Sequence, residues 1–126
     1  MVYKHIVMWK FKEQHNGKSA LENARWMKEQ LEALVGVVPE LLSAEVGISP
    51  ALEQAAGAPA PVAAQSNAAA VPAPAASGEY DACLLSTFAS PEALAAYKVH
   101  PKHKAISAYC KEARVKRLAF DWWSEE

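Results

Sequence analysis

An α+β domain in the order strand, helix, strand, strand, helix, strand is predicted by three observations. Residues Tyr3 to Lys12 alternate in polarity with period two and are rich in aromatic and β-branched types, which reads as a half-buried strand. Two strong helix starts come later at well-separated places, Ser19-Ala20-Leu21-Glu22 and Ser90-Pro91-Glu92. Each helical run is followed by a segment that returns to period two.

In the first strand Tyr3, His5, Val7, Trp9 and Phe11 share one face. Lys4, Ile6, Met8, Lys10 and Lys12 share the other, where lysine stems are expected to cover a helix edge. Asn16-Gly17 signals a turn, with His15 in a loop and without a role. Ser19 and Glu22 form a capping box, and Ala24, Met27, Leu31, Leu34 and Val38 come after it at three- and four-residue spacing. The spacing predicts a helix over 19–35, stopped at Gly36, with Pro39 preventing its return. A second strand is expected over 40–47.

The stretch 49–78 is Ala-Pro-rich, with Ala58-Pro59-Ala60-Pro61 and Val71-Pro72-Ala73-Pro74 and almost no charge. It is expected to be an extended insert of polyproline character, with one or two helical turns near 52–56. A third strand is expected over 79–88, with Tyr80, Ala82, Leu84, Ser86 and Phe88 on one face. Ser90 caps the next helix and Pro91 takes its first position. Proline disfavours helix and pushes its predecessor toward extended geometry, so Tyr97-Lys98-Val99-His100-Pro101-Lys102-His103 predicts a break at 99–100 and a restart at Pro101. The last strand covers 115–123.

Two βαβ halves of this kind make a ferredoxin-like sandwich, an antiparallel four-stranded sheet with helices on one face. Trp9, Phe11, Phe88, Phe120, Trp122 and Trp123 leave apolar residues on both sheet faces. A small monomer should not expose such a face, so a homodimer packed sheet against sheet is expected.

At 126 residues the chain is expected to be one domain, 1–126, interrupted by the insert. Thirteen basic against fourteen acidic residues, in no basic run, argue against nucleic acid. No apolar run reaches the ~20 residues of a membrane helix. The opening Met1-Val2-Tyr3-Lys4-His5 lacks the design of a secretory signal. Cys83 and Cys110 make no disulfide framework and read as reduced, which places the protein in the cytoplasm. His5, His100 and His103 suit a metal by type, but neither Glu92 nor Asp121 joins them at diagnostic spacing, so no metal is expected. No phosphate loop, nucleophile elbow or carboxylate pair is present, and no cofactor is implied.

Val2-Tyr3-Lys4-His5-Ile6-Val7-Met8-Trp9-Lys10-Phe11-Lys12 resembles the opening strand of the stress-responsive α/β-barrel (Dabb) family. The likeness continues through Val37-Val38-Pro39, Tyr80-Asp81 and the strand to Phe88, Ser90-Pro91-Glu92-Ala93-Leu94, the 97–103 stretch and Phe120-Asp121-Trp122. It covers nearly the whole chain outside the insert. The resemblance implies a dimeric α+β barrel, whose family members bind a small, rather apolar molecule between sheet and helices or have no assigned activity. A plant member of the family closes a polyketide by an aldol-type reaction without metal or organic cofactor. Its catalytic histidine falls at His103, its supporting tyrosine at Tyr97 and its first-strand histidine at His5. Leu31 stands where that enzyme has a helix tyrosine, which argues against the same substrate. Cofactor-free monooxygenases are looser relatives.

The leading expectation is therefore a stress-associated homodimer binding a small organic ligand, apolar or polyketide-like. The alternatives are a cofactor-independent cyclase, lyase or monooxygenase with His103 as general base, and a non-catalytic dimerisation module. In the enzyme reading His103 takes a proton α to a carbonyl, Tyr97 orients it or donates to the developing enolate, and His5 holds a substrate oxygen. Val7, Trp9, His100 and Phe88 are the expected ligand contacts. In the structural reading His100 and Pro101 simply build the helix break.

Overall fold

Ten residues of strand, Val2–Phe11 (β1), occupy the middle of the sheet. The structure is a computed structural model that describes residues 1–55 and 79–125. His5, Val7, Trp9 and Phe11 are buried on one face of β1 while the residues between them stay half-buried, as the alternation predicts.

Asn16 and Gly17, both with positive φ (56° and 75°), turn a short hairpin between β2 (Gln14–His15) and β3 (Lys18–Ser19). His15, expected in a loop, is part of this hairpin and its carbonyl accepts from Asn23 Nδ2. Helix α1 (Ala20–Glu32) starts on a complete capping box: Ser19 Oγ accepts from the Glu22 N–H and Glu22 Oε1 accepts from the Ser19 N–H. It ends three residues earlier than its apolar spacing predicts. Leu34 and Val38 are buried as expected, but from tight turns that lead into and out of Gly36 at φ 88°.

Strand β4 (Ser43–Ile48) is an outer strand of the sheet and begins later than expected. The Val46 N–H donates to Glu32 Oε2 (2.8 Å), and Lys28 Nζ donates to the Val46 carbonyl (2.7 Å). One ion pair on α1 thus satisfies backbone groups that an edge strand would otherwise expose. Helix α2 (Pro50–Ala55) comes next with Ala51 buried and Leu52 packed on the core, so the first residues of the 49–78 stretch are helical. The Ala-Pro repeats lie outside the described residues.

Strand β5 (Ala82–Phe88) buries Ala82, Leu84, Ser86 and Phe88. Helix α3 (Pro91–Val99) begins on Ser90, whose Oγ accepts from the Ala93 N–H, and α4 (Pro101–Ala113) starts after one intervening residue. Strand β6 (Arg114–Ser124) closes the order β4-β5-β1-β6, with every neighbouring pair antiparallel. This is the ferredoxin-like α+β fold, with the helices on one face.

The core lies between that face and the helices, around Val7, Trp9, Met27, Leu84, Phe88 and Tyr97. The two expected aromatic faces separate cleanly. Trp9, Phe11 and Phe88 are core residues. Trp123 shares their side at the end of β6, edge-to-face with Tyr3. The opposite face carries Ile6, Met8, Leu85, Leu118, Phe120 and Trp122, with Leu118 and Phe120 52% and 64% exposed. Lys4 and Lys10 lie on that open face too, and do not cover a helix edge as their position first suggested. Cys83 is on the outer face, whereas Cys110 is buried on the helix side; both are free. Among the described residues no helix is long and apolar enough to cross a membrane.

Candidate functional site

Proline at 101 ends one helix and starts another, and this places His100 between them. His100 has extended geometry (φ −64°, ψ 135°), as a residue before proline prefers. Its N–H donates to the Tyr97 carbonyl, closing α3. Its Nδ1 accepts from the Lys102 N–H (3.1 Å), opening α4. The imidazole expected to meet a ligand thus serves as a helix cap, and it does not line the cavity between sheet and helices.

His103, one turn into α4, donates its Nδ1–H to the Lys98 carbonyl (3.2 Å). A carbonyl only accepts, so the proton sits on Nδ1 and Nε2 keeps its lone pair. The His103 ring lies 4.3 Å from the ring of Tyr97, which is wholly buried and leans in turn on Phe88 at 5.2 Å. Among the described residues the Tyr97 hydroxyl has no hydrogen-bond partner, and burial pushes its pKa up.

His5 reaches the same space from β1. Register pairs it with Asp121 on β6, and its Nδ1–H donates to Asp121 Oδ1 (2.5 Å). The carboxylate fixes this tautomer too, with Nε2 left as acceptor.

Both imidazoles line a cavity of about 220 Å³ between sheet and helices. Its floor is apolar: Val7, Trp9, Leu84, Leu31 and Ile106, with the Cys110 thiol, whose pKa burial raises to about 11. Its remaining wall is polar and cationic, with Lys98, Ser107, Arg114 and Arg117. The fold therefore brings His5, His103, Val7 and Trp9 together, with Tyr97 behind His103 and Phe88 behind Tyr97. Leu31, the departure from the plant cyclase, is on the cavity floor. Sequence reasoning missed the pairing of Asp121 with His5 and the basic wall. The strand register 5↔121 was the one signal available for the first. Among the described residues no three His, Cys, Asp or Glu side chains converge as a metal site would require.

Burial lowers the pKa of both His5 and His103 from the ordinary 6.5. For His5 the Asp121 hydrogen bond and charge oppose the shift, while Lys98 and Arg117 add to it. For His103 the Lys98 carbonyl opposes it, and His5, Arg117 and Lys98 add to it. A histidine with a depressed folded pKa leaves the unfolded chain binding more protons just below pH 6.5. The stability contribution is thus complete above 6.5 and is lost as pH falls through the window between 6.5 and the lower folded values. Thermal melts between about pH 7.5 and 5.5 should show a falling Tm, and His5→Gln with His103→Gln should flatten that slope. An unchanged slope in the double variant would remove the two imidazoles from this account.

The family model described as Stress responsive A/B Barrel Domain matches residues 3–65 and 51–124 of this chain. Comparison with curated proteins gives no match. Among solved structures, a dimeric protein of unknown function and ferredoxin-like fold from Bacteroides fragilis is similar with a TM-score of 0.70 at 21% identity, over 98% of this chain and 96% of that one. A Dabb family protein with a ferredoxin-like fold from Mesorhizobium loti gives 0.61 at 13%, over 99% and 98%. The hydroxynitrile lyase of Passiflora edulis gives 0.64 at 16%, over 99% and 95%. These likenesses concern the fold, whereas the family match spans both halves of the chain. The chain belongs to the stress-responsive A/B barrel (Dabb) family.

Proposed function

We propose that this chain acts as a homodimer whose subunits each hold a small, largely apolar organic molecule between sheet and helices. The cavity carries this reading: an apolar floor beneath two imidazoles whose Nδ1 atoms are already engaged, leaving Nε2 of each to meet a ligand. Apolar enclosure with a few placed polar groups is the usual design of a small-molecule site. The open apolar sheet face supports the dimer, and the Bacteroides fragilis structure of like fold is described as dimeric.

A second reading is favoured by the tautomer of His103. A neutral imidazole with its lone pair on Nε2 is competent as a general base near pH 7. Nε2 takes a proton from carbon α to a carbonyl, and the electron pair moves to the carbonyl oxygen as an enolate. Tyr97, packed against the imidazole from behind, orients it, and His5 holds a substrate oxygen. This makes the chain a cofactor-independent lyase, cyclase or monooxygenase. The Passiflora edulis enzyme shows that a hydroxynitrile lyase uses a like fold.

Native mass spectrometry of the purified protein tests the first reading. Two chains plus a small extra mass are expected, and Leu31→Trp, which fills the cavity floor, should remove that mass while keeping the dimer. A monomer, or a dimer that never carries ligand after incubation with candidate molecules, would overturn it. The second reading is tested on whatever molecule is retained. His103→Gln should leave its affinity within about twofold and lower product formation by about 10²–10⁴-fold. Equal turnover in both proteins would end the general-base role.

A further inference from the structure

Lys98, Arg114 and Arg117 share the wall of the cavity, and the enzyme reading uses none of them. They come from three places: the last turn of α3, the junction of α4 with β6, and β6 opposite Trp9. Three lysines elsewhere in the chain find carboxylates. Lys10 meets Asp81, Lys28 meets Glu32 and Lys116 meets Glu79. Among the described residues the three wall cations form no ion pair. The carboxylate that Arg117 feels is Asp121, and its Oδ1 is taken by His5. Burial lowers the pKa of Arg117, and the nearby charge of Arg114 adds to that shift.

The arrangement is amphiphilic. Lys98 and Arg117 are exposed and Arg114 is half-buried, whereas Val7, Trp9, Leu31 and Leu84 beneath them are buried. The imidazoles carry lowered pKa values and, neutral, do not offset the cations. With a neutral ligand the wall keeps a net positive charge, three cations against the single carboxylate of Asp121. A guanidinium pair matches a carboxylate by geometry as well as by charge.

From this juxtaposition of an apolar floor and an unpaired cationic mouth, we infer that the cavity selects an organic anion. Its carboxylate would be held by Arg114, Arg117 and Lys98, with its apolar body on Val7, Trp9, Leu31 and Leu84. The inference rests on the pocket-binding reading above and adds the ligand's charge and direction: carboxylate at the mouth, hydrocarbon inward past His103.

Octanoate and octan-1-ol, matched in chain and different in charge, provide the test. Each is titrated into the full-length protein and followed by methyl NMR at Leu31 and Ile106. Octanoate should bind about tenfold tighter than octan-1-ol at low salt, and the gap should shrink at about 0.5 M salt. Arg114→Gln with Arg117→Gln should abolish the gap by weakening octanoate about tenfold relative to octan-1-ol. Arg117→Glu, a change at an exposed side chain, should turn the preference toward octylammonium. Equal affinities in the wild type, or a preference surviving in the double variant, would overturn anion selection while leaving the pocket reading in place. No shift at Leu31 or Ile106 with either probe would overturn both.

Discussion

Asp81→Ala should destabilise the domain by about 2–3 kcal/mol, the cost of stranding a buried backbone donor together with the loss of a half-buried ion pair. Asp81 is 3% exposed, just before β5. Its Oδ2 accepts from the Phe11 N–H (2.9 Å) and its Oδ1 from Lys10 Nζ (3.1 Å). Its backbone is equally committed: the N–H donates to the Trp9 carbonyl and the carbonyl accepts from the Ser49 N–H. One residue therefore ties the end of β1, the exit of β4 and the start of β5. Alanine strands the buried Phe11 N–H, which alone costs about 1–3 kcal/mol. For a domain of this size the melting point should fall by roughly 10–20 °C. Asp81→Asn keeps an acceptor for Phe11 but loses the charge facing Lys10, so it should lie between wild type and alanine. Melting curves that coincide for all three would show that this junction holds nothing together.

The second large effect concerns the open sheet face. Leu118→Lys with Phe120→Lys should convert a dimer into a monomer without unfolding it. Both side chains are already exposed in the single subunit, so the substitutions disturb no core contact. In a sheet-to-sheet dimer each lysine must be desolvated. Two central apolar contacts at about 2 kcal/mol each amount to about 4 kcal/mol, roughly a thousandfold weaker association. Sedimentation velocity at micromolar concentration reads the result directly, and circular dichroism checks the fold. A double variant that sediments as a dimer would place the interface elsewhere. A wild-type monomer would remove the homodimer proposal.

Much of the frame was legible because its signals are local. The alternation of β1 needs only neighbouring residues, and it correctly placed His5, Val7 and Trp9 on the inner face. The Ser19 box and the Ser90-Pro91 start each lie within one turn of chain. The break at His100 is a result of proline sterics alone. Where the reading missed, the cause was long range or too short. The β2–β3 hairpin has two residues per strand and no period to detect. The end of α1 at Glu32 was hidden because Leu34 and Val38 remain buried in turns, mimicking helical spacing.

Within the candidate site the same division holds. His103 and Tyr97 are six positions apart and were readable from one motif. The partner of His5 lies 116 positions away and depends on register between the first and last strands. The cationic wall gathers one lysine from α3 and two arginines from β6, not a run in sequence. His100 is the converse case. A histidine displaced from a helix looks available to a ligand, yet backbone donors at a helix start are closer and claim it first.

That same residue closes α3 and opens α4, so the two helices share a joint of a single amino acid. Such a joint has no slack. Each residue added to a helix turns the chain beyond it by about 100°, and there is no loop to absorb the turn. One residue inserted between Tyr97 and His103 would swing the imidazole off the tyrosine ring and away from the Lys98 carbonyl together. The sequence distance between those two side chains is thus under geometric constraint, whereas the identity of exposed neighbours such as Lys102 and Lys104 is not. Drift in this part of the chain can proceed by substitution but not by change of length.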